Sequence, residues 1–335
     1  MRPKVILCHC DEYDPKRIAT ILSEGMAALN VRPHGHVLVK PNLVTPHRRF
    51  FAHSFTRPEF MDGLLQAVRT HGVDMTDLSV GERSGMGIPS RLAFANAGYL
   101  SVLRQHRTQV VYFDEKPAAP VQLNHPRALR SLIYVPHPVT RCDFLVNAPK
   151  FKAHSLLKVT FALKNYIGLQ DDAHRLIDHD HKLAEKIADL QEVVSPGFIA
   201  IDAIIAGEYC EMAPRPFPLG LIVMGVNPVA VDAVCTHIAG LDPAEVDYIS
   251  LAAERGYGPM DLAEIDVTGD VTLEEAQMRA RGFRLTLDRV DRYLNGRSNL
   301  TAYVGPPPDA ADYCSGGCPG ALLETTQVLE AFQPD

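Results

Sequence analysis

Short apolar runs alternate along the chain with stretches whose apolar residues recur every three to four positions. Val5–Cys8, His36–Lys40, Asp77–Gly81, Gln109–Phe113, Asp143–Asn147, Phe198–Ile204, Leu221–Gly225 and Leu262–Thr268 read as strands. Pro15–Leu29, Arg57–His71, Ser90–His106, the region from Leu156 to about Ile167, His181–Val194 and Glu245–Gly256 read as helices. A further helix opens at Asn227-Pro228, a capping residue followed by proline in the first helical position. Strands as continuously apolar as LGLIVMG are buried on both faces. The expected fold class is therefore α/β: a doubly wound, mostly parallel sheet with helices on both faces, plus a short Cys-containing C-terminal tail. No internal repeat is present. Gly305–Pro308 reads as a proline linker, giving one α/β domain over residues 1–304 and a linker with a Cys-containing segment over 305–335.

Composition narrows the class. With 46% hydrophobic and 22% charged residues the chain is globular, which excludes disordered, collagenous and coiled-coil proteins. A formal charge of −7 leaves no net positive field for a phosphate backbone, so nucleic acid is not an expected partner. Apolar runs such as Leu219–Val226 fall far short of the roughly 18 residues of a membrane span. At the N-terminus MRPKVILCHC meets the acidic segment Asp11–Asp14 at once, which suits a first strand better than a secretory signal. A cytoplasmic location with reduced thiols is expected, and there seven cysteines ask for burial or metal.

Candidate chemistry sits at strand ends, where open parallel sheets bind ligands. Lys40 and Asn42 follow the second strand, Glu82 and Ser84 the third, and Lys150, Lys152 and His154 the strand ending at Asn147. Asp202 lies within Phe198–Ile204. Lys150, Lys152 and His154 alternate at period two, so an extended segment turns all three to one side. Lys164 and Asn165 fall on the helical stretch that follows. Ammonium groups beside His154 disfavour its imidazolium, so a neutral ring is expected at pH 7. His174, His179 and His181 read either as metal ligands or as a solvated helix start capped by Asp178 or Asp180.

The cysteines divide. Cys142, Cys210 and Cys235 are isolated. Cys8 and Cys10 form C-x-C, both sulfurs on one face of a strand end, and Cys314 and Cys318 form C-x3-C around two glycines. Four thiolates suffice for a [4Fe–4S] cluster or, as an alternative, a tetrahedral zinc; a redox dithiol pair and the absence of any metal also stay open. No P-loop, G-x-G-x-x-G or G-x-S-x-G motif occurs in the corresponding segments.

Together, VLVKPNLV, VGERSG with AFANAGY, FLVNAPKFKAH with KVTFALKNYIGL, IDAI, and NPVAVDAV with AAERGYG resemble the family known as domain of unknown function 362, over roughly residues 36–260. The resemblance implies a fold and a pocket, and an association with iron–sulfur clusters seen in many members. The reading it supports is an iron–sulfur- or other metal-associated enzyme acting on a small anion. Lys40, Asn42, Ser84, Lys164 and Asn165 would bind that anion, and Lys150, Lys152, His154, Glu82 and Asp202 would carry the chemistry. A non-catalytic metal or electron carrier with a redox partner protein, and a metal-free enzyme of carboxylate or phosphate chemistry, are the alternatives.

Overall fold

The computed structural model describes residues 2–285 except Arg48, Met86 and Asp180, together with Thr301. Among these residues the strands are, in chain order, β1 (Lys4–His9), β2 (Gly35–Pro41), β3 (Met75–Glu82), β4 (Gln109–Tyr112), β5 (Ala118–Gln122), β6 (Leu132–Pro136), β7 (Phe144–Ala148), β8 (Lys150–His154), β9 (Lys158–Thr160), β10 (Phe198–Glu208), β11 (Arg215–Gly225) and β12 (Asp266–Gly269). The main sheet runs β12-β1-β11-β10-β7-β2-β3-β4, with β8 added beside β10 and β9 beside β8. Along the eight-strand path β11 is antiparallel to both neighbours and the other pairings are parallel. It is a mostly parallel α/β fold with helices on both sides, as the alternating pattern predicts.

Alternation along each strand builds two cores. Val5, Leu7, Leu38, Ile199, Ile201, Leu221 and Val223 pack with the helices Leu183–Leu190, Pro228–Ile238 and Asp247–Glu254. Ile6, Val37, Val39, Val146, Ala200, Ile222 and Met224 pack on the other side with Pro15–Ala28 and Pro58–His71. The two long helices meet where Gly63 lies against Ile18, too close to admit a Cβ.

Several elements differ from the sequence reading. Leu156–Ile167 is not one helix: β9 pairs back on β8, and only Ala162–Asn165 and a short 3-10 turn, Tyr166–Leu169, are helical. Lys158 takes a positive φ of 64° to make that reversal. Ser90–His106 splits into Ser90–Asn96 and Tyr99–Gln105 around Gly98, whose φ is 78°. Leu262–Thr268 is a 3-10 turn followed by β12. The β5–β6 hairpin has no counterpart in the pattern reading.

Candidate functional site

β2, β3, β8 and β10 bring a buried polar cluster to one end of the sheet. Lys40, the last residue but one of β2, reaches across to Glu82 at the end of β3, Nζ to Oε2 at 2.6 Å, and both side chains are buried. The other Glu82 oxygen accepts from the Arg83 amide at 2.8 Å. Burial works against both charges, drawing the lysine down and the glutamate up, and their mutual attraction opposes it. Gly168 lies over this pair: a Cβ there would fall 2.3 Å from Glu82 Oε1 and 3.1 Å from Lys40 Nζ. Gly168→Ala is therefore expected to lower stability by about 1–3 kcal/mol, the usual scale for overpacking a filled site. Chemical denaturation measures it, and an unchanged midpoint would mean the pair can move aside.

A second buried pair stands on β8 and β10, where Lys150 and Asp202 are register partners. Lys150 Nζ lies 2.9 Å from Asp202 Oδ2 and donates to the Tyr13 hydroxyl at 2.8 Å. Tyr13 in turn donates to Asp202 Oδ1 at 2.8 Å, and the Arg57 amide donates to Oδ2 at 3.0 Å. His53 lies alongside, drawn down to about 4 by burial and then by Lys150 and Arg57.

Lys152 is satisfied without a carboxylate. Its ammonium donates to Asn42 Oδ1 at 3.0 Å, to the Ser54 carbonyl at 2.6 Å and to the Glu211 carbonyl at 3.0 Å. Burial pulls it down to about 7, with the Glu211 carboxylate opposing. Asn42 passes the network on to Asn165 at 3.2 Å, and Asn165 to Asn147 at 2.8 Å. Ser84 spends its hydroxyl on the Leu43 carbonyl at 3.0 Å, tying two loops together.

His154 continues the same face of β8. Its Nδ1 accepts from the amides of Leu156 and Leu157 at 3.1 and 3.3 Å, which leaves the proton on Nε2, 3.9 Å from Glu211 Oε1. Burial is the main reason its pKa falls to about 3, and nearby Lys164 and Lys152 add to it. The sign of the pH effect follows. The unfolded ring titrates near 6.5, so the stability of the buried neutral ring is complete above that pH and is lost as pH falls toward 3. Unfolding midpoints at about pH 7 and about pH 5 should therefore fall further in the wild type than in His154→Gln. Equal losses would place the acid sensitivity elsewhere.

Lys164 stands apart. Asp232 accepts from the amides of Ala162 and Leu163 at 2.8 and 3.0 Å and so fixes the short helix that presents it. Its side chain is half-buried, and among the described residues no hydrogen bond or ion pair engages its ammonium. Burial draws it down to about 8, with Glu211 opposing and Arg175 and Lys40 adding to the fall. Beside it His179 donates Nδ1–H to the Arg175 carbonyl at 2.9 Å, leaving Nε2 as a lone pair; burial, Lys164 and Lys186 draw this ring down to about 4.

The family model described as Domain of unknown function (DUF362) matches residues 37–237, more than half of the chain. The chain belongs to this family. A similar protein is Thylakoid-associated protein sll1697 of Synechocystis sp. (strain ATCC 27184 / PCC 6803 / Kazusa), 27% identical over 238 residues that cover 68% of this chain and 70% of the relative. Among solved structures, the lactate racemase apoprotein from Thermoanaerobacterium thermosaccharolyticum aligns over 71% of this chain at 12% identity and TM-score 0.43. A Thermotoga maritima protein aligns over 70% at 13% identity and TM-score 0.36. The chain spans 58% and 60% of those two solved chains.

Within the DUF362 region lie Lys40, Glu82, Lys150, Lys152, His154, Lys164, Asp202 and Glu211; Cys8, Cys10, Cys314 and Cys318 all lie outside it. Cys314, Cys318 and the boundary at 304/305 fall outside the described residues. Cys8 and Cys10 pack toward the same core, and Cys10 Sγ donates to the Glu12 carbonyl at 3.3 Å. Burial, and then the Asp270 charge, push Cys8 up to about 11, and burial raises Cys10 as well. These two thiols are too few donors to hold a cluster or a zinc by themselves, and the described residues contain no group of three or more His, Cys, Asp or Glu placed to hold an ion. His174 meets Asp171 at 2.7 Å, and His181 lies 3.7 Å from Asp178. No helix of the described residues is long and apolar enough to cross a membrane.

Tyr13, Glu211 and Arg175 are the members of the cluster that pattern reading missed, and His179, read there with His174 and His181, stands instead beside Lys164. Tyr13 follows β1 by only four residues, so extending the strand-end rule past Cys10 would have found it. Glu211 sits in the β10–β11 connection with no motif around it.

Proposed function

We propose that this chain is an enzyme acting on a small anion, a carboxylate or a phosphate, which Lys164 holds above the ends of β2, β8 and β10. One observation carries the reading. Lys40 and Lys150 are neutralised by buried carboxylates and Lys152 has three oxygen acceptors, whereas the half-buried Lys164 ammonium engages no protein acceptor among the described residues. A cation brought to the sheet's ligand-binding end without an acceptor suits an anion supplied from outside. His154 offers Nε2–H and His179 a lone pair on Nε2, a donor and an acceptor that both stay neutral at pH 7. His179 is the proposed proton acceptor. In this reading Glu82 and Asp202 hold Lys40 and Lys150 in place and so build the floor under the anion, and Asn42, Asn165 and Ser84 tie that floor together.

The experiment is a turnover screen of small hydroxy, oxo and phosphorylated acids against the wild type, His179→Ala and Lys164→Met. Turnover that both variants abolish supports the assignment. Turnover that survives Lys164→Met refutes it.

Membership of the family is compatible with a metal-associated role. A four-cysteine centre is the second reading, motivated by Cys8 and Cys10 side by side near Asp202, whose charge acts on Cys10. Thiolates from Cys8, Cys10, Cys314 and Cys318 would hold the metal, and no step proposed for the anion runs through it. Iron, zinc and acid-labile sulfide in an anaerobic preparation, compared with Cys8→Ser/Cys10→Ser, decide it; equal metal content in both would reject these ligands. A cytoplasmic location goes with this reading.

A further inference from the structure

We propose a second ligand site, at the opposite end of the parallel strands from Lys164, that takes an organic anion with an apolar body. A cavity of about 700 Å³ opens there between the starts of β2, β3 and β4 and the short helix His137–Arg141. Its size lies within the range of small-molecule pockets. It exists because of what covers the sheet. Beside Leu38 and Val111 stand only the five-residue helix and the Lys116-Pro117 segment that leads into β5.

The lining has two kinds of chemistry. Buried Leu38 and Val111 form an apolar floor. Lys116 and Arg141 stand at the wall, and among the described residues neither side chain makes a hydrogen bond or an ion pair. One carboxylate, Asp77, shares the lining and meets His36 Nδ1 at 3.0 Å, and Glu115 takes Arg91 in a two-bonded pair. Two cations against one carboxylate, neither of them paired with it among the described residues, stand beside an apolar floor and suit a ligand with a carboxylate, sulfonate or phosphate head on a hydrophobic body. Gln109 and Ser79 supply neutral hydrogen-bonding groups in the same wall. The site is independent of the Lys164 reading and shares no residue with it.

The probe is 8-anilinonaphthalene-1-sulfonate, an aromatic anion whose fluorescence rises on binding. The wild type should show one saturable class of sites. Lys116→Glu/Arg141→Glu should weaken it by about tenfold or more, the scale for losing charge-assisted hydrogen bonds. The milder Lys116→Gln/Arg141→Gln pair should weaken it in the same direction should the charge reversal disturb folding. N-phenyl-1-naphthylamine, which lacks the sulfonate, should bind more weakly than the anion, and Lys164→Met should leave dye affinity unchanged. Undiminished affinity in the Gln pair, equal binding of the neutral dye, or loss of dye binding in Lys164→Met would each overturn the proposal.

Discussion

Glu82→Leu is expected to lower the unfolding free energy by about 3–5 kcal/mol, the usual cost of leaving one partner of a buried ion pair without the other. Among the described residues the other contact of the Lys40 ammonium is the Pro41 carbonyl at 3.4 Å. Surrounded by protein, the ammonium must stay charged without a counter-ion or give up its proton, and both raise the energy of the folded state. Lys40→Met/Glu82→Leu should recover most of the loss, because both charges then leave together and apolar volume replaces them. Urea unfolding followed by circular dichroism reads both variants against the wild type. A single variant as stable as the wild type would show that the pair is not held as the 2.6 Å contact implies.

Lys164→Met is expected to weaken binding of inorganic phosphate or oxalate, whichever the wild type binds in calorimetry, by about 10–100-fold, because a hydrogen bond to a charged group is lost. Stability should hold or rise, since a half-buried ammonium with no acceptor among the described residues is removed from the folded state. Lys152→Met should behave differently. It strips three oxygens, on Asn42, Ser54 and Glu211, of their donor, and a loss of about 1–3 kcal/mol or more in stability is expected. The contrast separates a lysine that builds the site from one that serves it. The account fails if Lys164→Met unfolds the protein and Lys152→Met does not.

The parallel core was legible because a strand buried on both faces has few alternatives. Val37–Val39 and Leu221–Met224 can satisfy their backbone and their side chains only inside a sheet. Lys150, Lys152 and His154 were legible for a related reason: period two on an extended segment turns all three the same way, and β8 is that segment. Leu156–Leu163 misled because Leu156, Leu157, Val159, Phe161 and Leu163 satisfy helical and extended spacing alike. The positive φ at Lys158, a residue with no bias toward it, decided for a reversal. Arg215–Leu219 was hidden by Pro216 and Pro218. They lie beyond the end of β1, so this stretch of β11 pairs with β10 alone, and an unpaired edge tolerates proline. Strand-end residues identified the lysines together with Glu82, Asp202 and Asn42, but not which of them pair. Which lysine keeps its charge available depends on acceptors such as Ser54 and Glu211, and these come from loops whose approach is set by tertiary packing.

The central claim is that Lys164 is the ammonium left for a bound anion, and its own titration tests that most directly. With lysine labelled at 13Cε and the Lys164 resonance assigned by its loss in Lys164→Met, the free protein should show a midpoint near the expected value of about 8. Saturating phosphate or oxalate should then move that midpoint upward, because a nearby negative charge favours the ammonium. A Lys164 resonance that neither anion shifts in position or midpoint would contradict the account.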